Sequence, residues 1–281
     1  MSDPASAIGR TMVSHDVVTA PSLGRLAALL DHDTPPWAAG EMPPLGHWLN
    51  FLPDARQSLI GTDGHPVRGD FMPAAADQPR RMWAGSRIAF ERPVPIGAAI
   101  QRTSTITHVD RKEGRSGSLM FVSVRHEVTN EGTLATVEDQ DIVYRAAAPS
   151  GMSPASAVAA PIPAAVGAFQ RKVTPSEAML FRYSALTFNA HRIHYDREYA
   201  RESEGYVDLV VHGPLTATLL MDVFLRHHPG ALVRRFAFTG KRPLLLGGPF
   251  TLHGTVHGAV ADLWATDANG HVCMSARLET A

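Results

Sequence analysis

Arg92-Pro93-Val94-Pro95-Ile96-Gly97-Ala98-Ala99-Ile100 returns, at an offset of 150 (242 − 92), as Arg242-Pro243-Leu244-Leu245-Leu246-Gly247-Gly248-Pro249-Phe250. Both copies read Arg-Pro, three apolar-type positions, glycine, two further residues and an apolar one. Each leads into a stretch rich in Thr, Ile and Val, Gln101–Val109 and Thr251–Val256, and then to a turn signal, Asn130-Glu131-Gly132 and Asn269-Gly270, with another strand beyond. A repeat of this period sets the architecture before any single motif does. The chain reads as two copies of one unit.

Upstream of each copy the halves also correspond. Val18-Thr19-Ala20-Pro21-Ser22 precedes a helical pattern with Leu23, Leu26, Leu29 and Leu30 on one face, and Val173-Thr174-Pro175-Ser176-Glu177 precedes another with Met179, Leu180 and Tyr183. Each unit is therefore helix first and antiparallel strands after, an α+β arrangement packed side by side. In the second half His212-Gly213-Pro214 opens a longer helix, and Leu215 to Leu225 is nearly all apolar, which predicts a helix buried on every side and wrapped by a sheet. Residues 146–168 carry no charge and are dense in Pro, Ala and Ser, the composition of a semi-rigid connector. The division expected is an N-terminal unit over 1–148, a linker over 149–168 and a C-terminal unit over 169–281.

A chain of 281 residues, 44% apolar and 19% charged, can fill a sizeable core, and a net charge of −1 offers no field for nucleic acid or an anionic membrane. The single cysteine, Cys273, excludes an intrachain disulfide and a thiolate cluster and sits in the last strand pattern as a small core residue. Met1 to Ser6 lacks the order of a secretory signal, and no apolar run reaches the ~18 residues of a membrane span, so a cytoplasmic protein is expected.

The chemistry is concentrated in 181–216. Phe181 to Asp196 packs Asn189, His191, His194, Arg182, Arg192 and Asp196 into sixteen residues of an otherwise apolar chain, and such a cluster needs partners or a use. Histidine suits proton transfer near neutrality, and a helix start such as His212-Gly213 offers unpaired N–H groups to an anion or a polarised carbonyl. No Gly-x-Ser-x-Gly, phosphate loop or dinucleotide glycine pattern occurs, which leaves hydrolase, kinase and dehydrogenase readings without support.

The segment Thr187-Phe188-Asn189-Ala190-His191-Arg192-Ile193-His194-Tyr195-Asp196 resembles the MaoC-like branch of the hotdog superfamily, whose motif runs Ser-Gly-Asp-x-Asn-Pro-[Ile/Leu]-His-x-Asp and whose helix opens with His-Gly. The motif histidine falls on His194 and the motif aspartate on Asn189, a departure, since an amide is no base. The longer stretch from Phe181 to Asp196 is similar to the subgroup holding mitochondrial 3-hydroxyacyl-thioester dehydratase and the bacterial 3-methylfumaryl-CoA (mesaconyl-CoA) and itaconyl-CoA hydratases, where asparagine is usual. Trp48-Leu49-Asn50-Phe51-Leu52-Pro53, Asp63-Gly64-His65-Pro66 and Arg80-Arg81-Met82-Trp83-Ala84-Gly85 resemble it as well.

The resemblance implies a double hotdog, two antiparallel sheets each wrapped around a long central helix, with the chemistry in the second half and the first half walling an acyl-CoA tunnel. It implies a hydro-lyase adding water across the double bond of an α,β-unsaturated acyl-CoA, with a branched C5 dicarboxylyl-CoA giving citramalyl-CoA as the leading substrate class. His194 is the expected acid–base for both proton transfers, Gly213 the oxyanion donor, and Asn189 the holder of water rather than only of a turn. Arg81, Trp83, Arg182, Arg192, His191 and His212 are the expected substrate-binding residues, with Arg81 the first choice for a substrate carboxylate. Asp196 is expected to orient backbone or a neighbour, and Trp48 and Trp83 to be core or tunnel wall. Neither a metal nor a cofactor is expected, since His191 and His194 show no third ligand and CoA is part of the substrate. The expected partner is that acyl-CoA, with no nucleic acid, no membrane, and a homodimer left open. A straight-chain 3-hydroxyacyl dehydratase on CoA or acyl carrier protein is the nearest alternative. A hotdog thioesterase, which would need a carboxylate on the central helix before Asp222, and a non-catalytic acyl-CoA-binding module stand behind it.

Overall fold

The structure is a computed structural model describing residues 3–73, 78, 80–114, 117–145 and 169–281; the expected linker lies outside the described residues. Ten strands form, β1 Thr11–Val17, β2 Arg80–Phe90, β3 Ala99–Gly114, β4 Gly117–Asn130, β5 Thr133–Arg145, β6 Phe169–Val173, β7 Val233–Gly240, β8 Phe250–His257, β9 Val260–Thr266 and β10 Val272–Thr280. Four α-helices accompany them, α1 Ala20–Leu29, α2 Glu177–Thr187, α3 Arg197–Glu202 and α4 Gly213–His227.

The strand order β1-β3-β4-β5-β2-β7-β10-β9-β8-β6 is one pattern read outward twice from the β2–β7 join. Across that join Arg87 faces Ala237, residues themselves 150 apart, so a local twofold passes between them. The repeated Arg-Pro corners make the same bonds: the N–H groups of Glu91 and Arg92 both donate to the Ala135 carbonyl, and those of Lys241 and Arg242 both donate to the Cys273 carbonyl. The duplication is real, and the α+β double hotdog stands.

Two details of the expected architecture change. The two sheets are not separate, because antiparallel β2–β7 pairing closes both inner edges into one ten-stranded sheet; an edge left open would be a pairing hazard. And among the described residues only the second half holds a long central helix. Among the described residues of the first half the one α-helix is the ten-residue α1, which packs beside α2, its counterpart in chain order. Pro43, Pro44, Pro53, Pro66 and Pro73 break the stretch where a long helix would have to run.

In the second half α4 is buried continuously from Leu215 to Leu225. Its threonines fit because Thr216 and Thr218 donate their hydroxyls to the carbonyls of His212 and Pro214 one turn back. Burying side chains such as Leu215, Leu219 and Leu220 contributes ~1.5–3 kcal/mol each. With no such helix in the first half, the inner face of β4 and β5 instead lines a cavity of about 1650 Å³ that runs from Val124 and Ile142 to Gly213 and Cys273. No helix among the described residues is long and apolar enough to cross a membrane.

Candidate active site

The polar loop after α2 is shaped by its own side chains. Ser176 caps α2 by accepting the Met179 N–H, and the helix ends at Phe188 in the left-handed region, φ 48°. The Asn189 side-chain carbonyl accepts the His191 N–H at 2.9 Å, turning the chain into a short 3₁₀ segment, Arg192–His194. Asp196 caps α3 by accepting the Tyr199 N–H and receives the Arg192 guanidinium at 2.7 Å. Asp196 thus orients backbone and a neighbour. Asn189 lines the cavity, but its oxygen is already engaged in the turn.

His194 is 7% exposed, and its Nδ1–H donates to the Val210 carbonyl at 2.7 Å. That bond assigns the neutral tautomer and leaves the Nε2 lone pair without a partner among the described residues. Burial pushes the imidazole down to about 4, with the Val210 carbonyl opposing and the nearby His65 adding to the fall, so the ring is neutral at pH 7. Behind it lies His212, fully buried, its ring 3.6 Å from that of His194 with planes 20° apart and its Nε2 at 2.9 Å from the Ser184 hydroxyl. His212 does not line the cavity, which corrects its expected substrate contact: it backs His194.

The other half supplies what lies in front. The Arg192 backbone N–H donates to the Asp63 carbonyl at 2.9 Å, and its guanidinium to the Thr62 carbonyl at 3.0 Å. Gly64, at φ +91°, lets the two loops touch, since a Cβ there would sit 1.8 Å from the Ala190 oxygen. This clamp sets His65 against His191, ring centroids 4.1 Å apart, and His191 lies 5.4 Å from His194. His65 Nδ1–H donates to Asp63 Oδ2 at 2.9 Å. Burial raises the Asp63 carboxyl, but the His65 bond and charge outweigh it and hold the group below its ordinary range. Burial first, then His65, His194 and, more weakly, Arg81 push His191 down to about 2.

Asp63, His65 and His191 are also the third-ligand set that the sequence reading did not find, their ligand atoms all within 4.8 Å of one another. Donors ~2.1 Å from a tetrahedral zinc lie ~3.4 Å apart, and here the carboxylate already binds the Nδ1–H of its neighbour. The trio is a hydrogen-bonded carboxylate–imidazole pair with a second ring tilted against it.

Gly213 begins α4 and lines the cavity, and an N–H in the first turn of a helix has no intrahelical acceptor. A Cβ on Gly213 would meet only the Trp83 carbonyl oxygen, at 4.0 Å, so packing alone does not demand glycine there. Trp83 lines the cavity, its indole N–H bonded to Ser86. Ser86 in turn donates to Glu138, which also receives His47 and Trp48; burial raises that carboxyl, but these partners bring it down to about 2.

The arginines separate. Arg81 lines the cavity and has no ion pair among the described residues. Arg182 is exposed and lies outside the cavity, and Arg192 is spent on Asp196, Thr62 and the Tyr199 ring, 4.2 Å away; neither stands on the cavity wall, against expectation. Sequence reasoning missed Asp63 and His65 as site residues, and missed Arg102, Arg145 and Arg242 on the cavity wall. Only the quoted Asp63-Gly64-His65-Pro66 could have pointed to the first pair.

Residues 45–246 match the family described as hydroxyacyl-thioester dehydratase type 2. Over 277 residues the chain is 44% identical to the mesaconyl-C(4)-CoA hydratase of Chloroflexus aurantiacus, covering 97% of this chain and 96% of that protein. A MaoC-like dehydratase from Phytophthora capsici superposes with a TM-score of 0.70 at 14% identity, covering 99% of this chain and 97% of the other. A Mycobacterium tuberculosis protein with a double hotdog fold superposes at 0.58 with 12% identity, covering 97% and 96%. At those identities the structural matches speak to fold alone.

Proposed function

The chain belongs to the hydroxyacyl-thioester dehydratase type 2 family, and we propose that its substrate is a branched C5 dicarboxylyl-CoA, mesaconyl-C4-CoA or itaconyl-CoA, hydrated reversibly to citramalyl-CoA. It is a hydro-lyase acting on an acyl thioester. The observation that carries the substrate is the near full-length, 44% identity to a mesaconyl-C(4)-CoA hydratase.

The geometry supports the reading. A thioester oxygen received by the Gly213 N–H at the start of α4 gains both a donor and the positive end of the helix as it becomes an enolate. The unpartnered Nε2 of neutral His194 takes a proton from water as it attacks the β-carbon. Asn189, its oxygen tied to the turn, offers its amide donors to that water. In mesaconyl-C4-CoA the free carboxylate sits on the β-carbon itself, so its anchor must stand beside the proton-transfer groups. Arg81, unpaired and near enough to His191 to depress it, fits. The site needs no metal or cofactor in this scheme; CoA arrives with the substrate.

A thioesterase has no base here: Asp222, the first acid of α4, is buried and bound to His32, Arg171 and Arg226. The test is to offer purified protein crotonyl- and mesaconyl-C4-CoA and follow loss of enoyl absorbance, and to offer itaconyl-CoA, whose double bond is not conjugated to the thioester, with citramalyl-CoA identified by mass. Preference for crotonyl-CoA would transfer the reading to straight-chain 3-hydroxyacyl thioesters. Turnover of none of the three would end it.

A further inference from the structure

The amide at 189 leaves the catalytic loop with no free carboxylate, because Asp196 is occupied by the α3 cap and Arg192. A hydration needs two proton operations, one at the water and one at the α-carbon, and these can be carried by one imidazole in turn or divided between two groups. The carboxylate that acts on the site histidines comes from the other half of the chain. Asp63 holds His65 by Nδ1, His65 lines the cavity, and its ring lies tilted against His191, 4.1 Å between centroids, in the row that continues through His194 to His212. The clamp around Gly64 fixes this placement at the backbone: Asp63 and Thr62 carbonyls receive Arg192, and only glycine permits the approach.

We propose that Asp63 and His65 are the second acid–base unit of the active site, His65 delivering the α-proton while His194 takes the proton of water. The proposal rests on the hydratase reading. In the forward direction a water O–H proton passes to His194 Nε2 as the C–O bond forms at the β-carbon. The double-bond electron pair moves onto the α-carbon and thioester oxygen, and the Nε2–H of His65 imidazolium then closes the new C–H bond. One water is added, and the proton gained by His194 and lost by His65 is re-equilibrated through water in the cavity. The Asp63 carboxylate, accepting the Nδ1–H of His65 at 2.9 Å, holds that ring's orientation as the carboxylate of a triad does. The first half of the chain is then a catalytic contributor as well as a tunnel wall.

The experiment compares wild type, His65→Ala and Asp63→Asn on whichever enoyl-CoA the wild type hydrates best; wild-type turnover decides the hydratase reading, and the variants decide the dyad. His65→Ala is expected to lose ~10²-fold or more in kcat with KM little changed. Added imidazoles should restore turnover, with a rate that follows the pKa of the imidazole used, a signature that a purely structural histidine does not give. Asp63→Asn keeps an oxygen for the His65 backbone N–H, so it tests the charge even if His65→Ala misfolds, and should lose about tenfold. Variant rates within a few-fold of wild type, or a loss in folded His65→Ala that no imidazole restores, overturn the proposal. So does stoichiometric zinc or iron whose removal by EDTA abolishes wild-type activity, since the same three side chains would then be ligands.

Discussion

The rings of His194 and His212 lie face to face, 3.6 Å apart and 20° from parallel, in a pocket that disfavours charge on both. Burial pushes both below the ordinary 6.5, His194 to about 4. The sign for stability follows. As pH falls below about 6.5 the unfolded chain takes up protons that the folded one refuses until about 4, so stability is complete above that window and is lost progressively through it. His194 alone accounts for roughly 3 kcal/mol at the acid end. Urea midpoints at pH 7, 6, 5 and 4.5 should fall steadily, and His194→Asn, which can still donate to Val210, should flatten the slope. Equal slopes in both proteins would place the acid sensitivity elsewhere.

Removing the imidazole of His194 also removes the base. His194→Ala should cost ~10²–10⁴-fold in kcat. Circular dichroism should stay unchanged, because the surrounding loop is held by Asn189, Asp196 and the Val210 N–H bond to Ile193 rather than by the ring. A folded variant that keeps more than about a tenth of the rate would remove His194 from the chemistry.

The parts of this protein legible in its sequence were those written locally or repeated. The Arg92 and Arg242 corners, the Ser176 cap and the apolar run of α4 each declare themselves within a few residues, and each is found in place. What could not be read depends on contacts across the chain. The β2–β7 join pairs strands from different halves, and the Thr62–Arg192 bond spans 130 residues. His65 looks like any loop histidine until that bond lays it on His191. The engagement of Arg192 is legible locally, since Asp196 four residues on is the spacing of an ion pair.

Asn189 offers a graded test. Its oxygen closes the turn onto the His191 N–H, and aspartate keeps that oxygen while alanine does not. Asn189→Ala should therefore lose ~0.5–1.5 kcal/mol of stability in addition to activity, and Asn189→Asp should be the milder of the two on both counts. Urea midpoints and kcat for the pair decide it. Both variants lack the amide donors, so equal losses of kcat in the two would assign the part of Asn189 to those donors, and a loss confined to alanine would assign it to the turn.

Gly213 separates ligand space from protein packing. The start of α4 has room for a methyl group, with only the Trp83 carbonyl at 4.0 Å. Gly213→Ala should leave the melting temperature unchanged or slightly raised, since alanine in place of glycine at a compatible site gains ~0.4–1 kcal/mol. Turnover should nonetheless fall, by about tenfold or more in kcat/KM, because the added methyl group stands where the thioester must approach the N–H. Full activity in this variant would move the oxyanion site away from the helix start.

Substrate choice turns on Arg81, an exposed residue of the cavity wall whose charge is felt at His191 and which has no carboxylate partner among the described residues. If the substrate bears its free carboxylate on the β-carbon, Arg81→Leu removes a charged hydrogen bond from a desolvated group, on the order of 2–4 kcal/mol or about 30- to 1000-fold in kcat/KM. Crotonyl-CoA carries a methyl group at that carbon and should be hydrated nearly as before. Arg182→Leu, outside the cavity, should change neither substrate. Arg192→Leu should lower stability and both activities together, because it dismantles the bonds to Asp196 and Thr62 that hold the two loops in contact. Parallel kinetics of the three variants on mesaconyl-C4-CoA and crotonyl-CoA separate these outcomes. Equal losses on both substrates in Arg81→Leu would make that arginine a CoA or structural contact and leave the dicarboxylate unanchored. The straight-chain substrate class would then be the better reading of the same cavity.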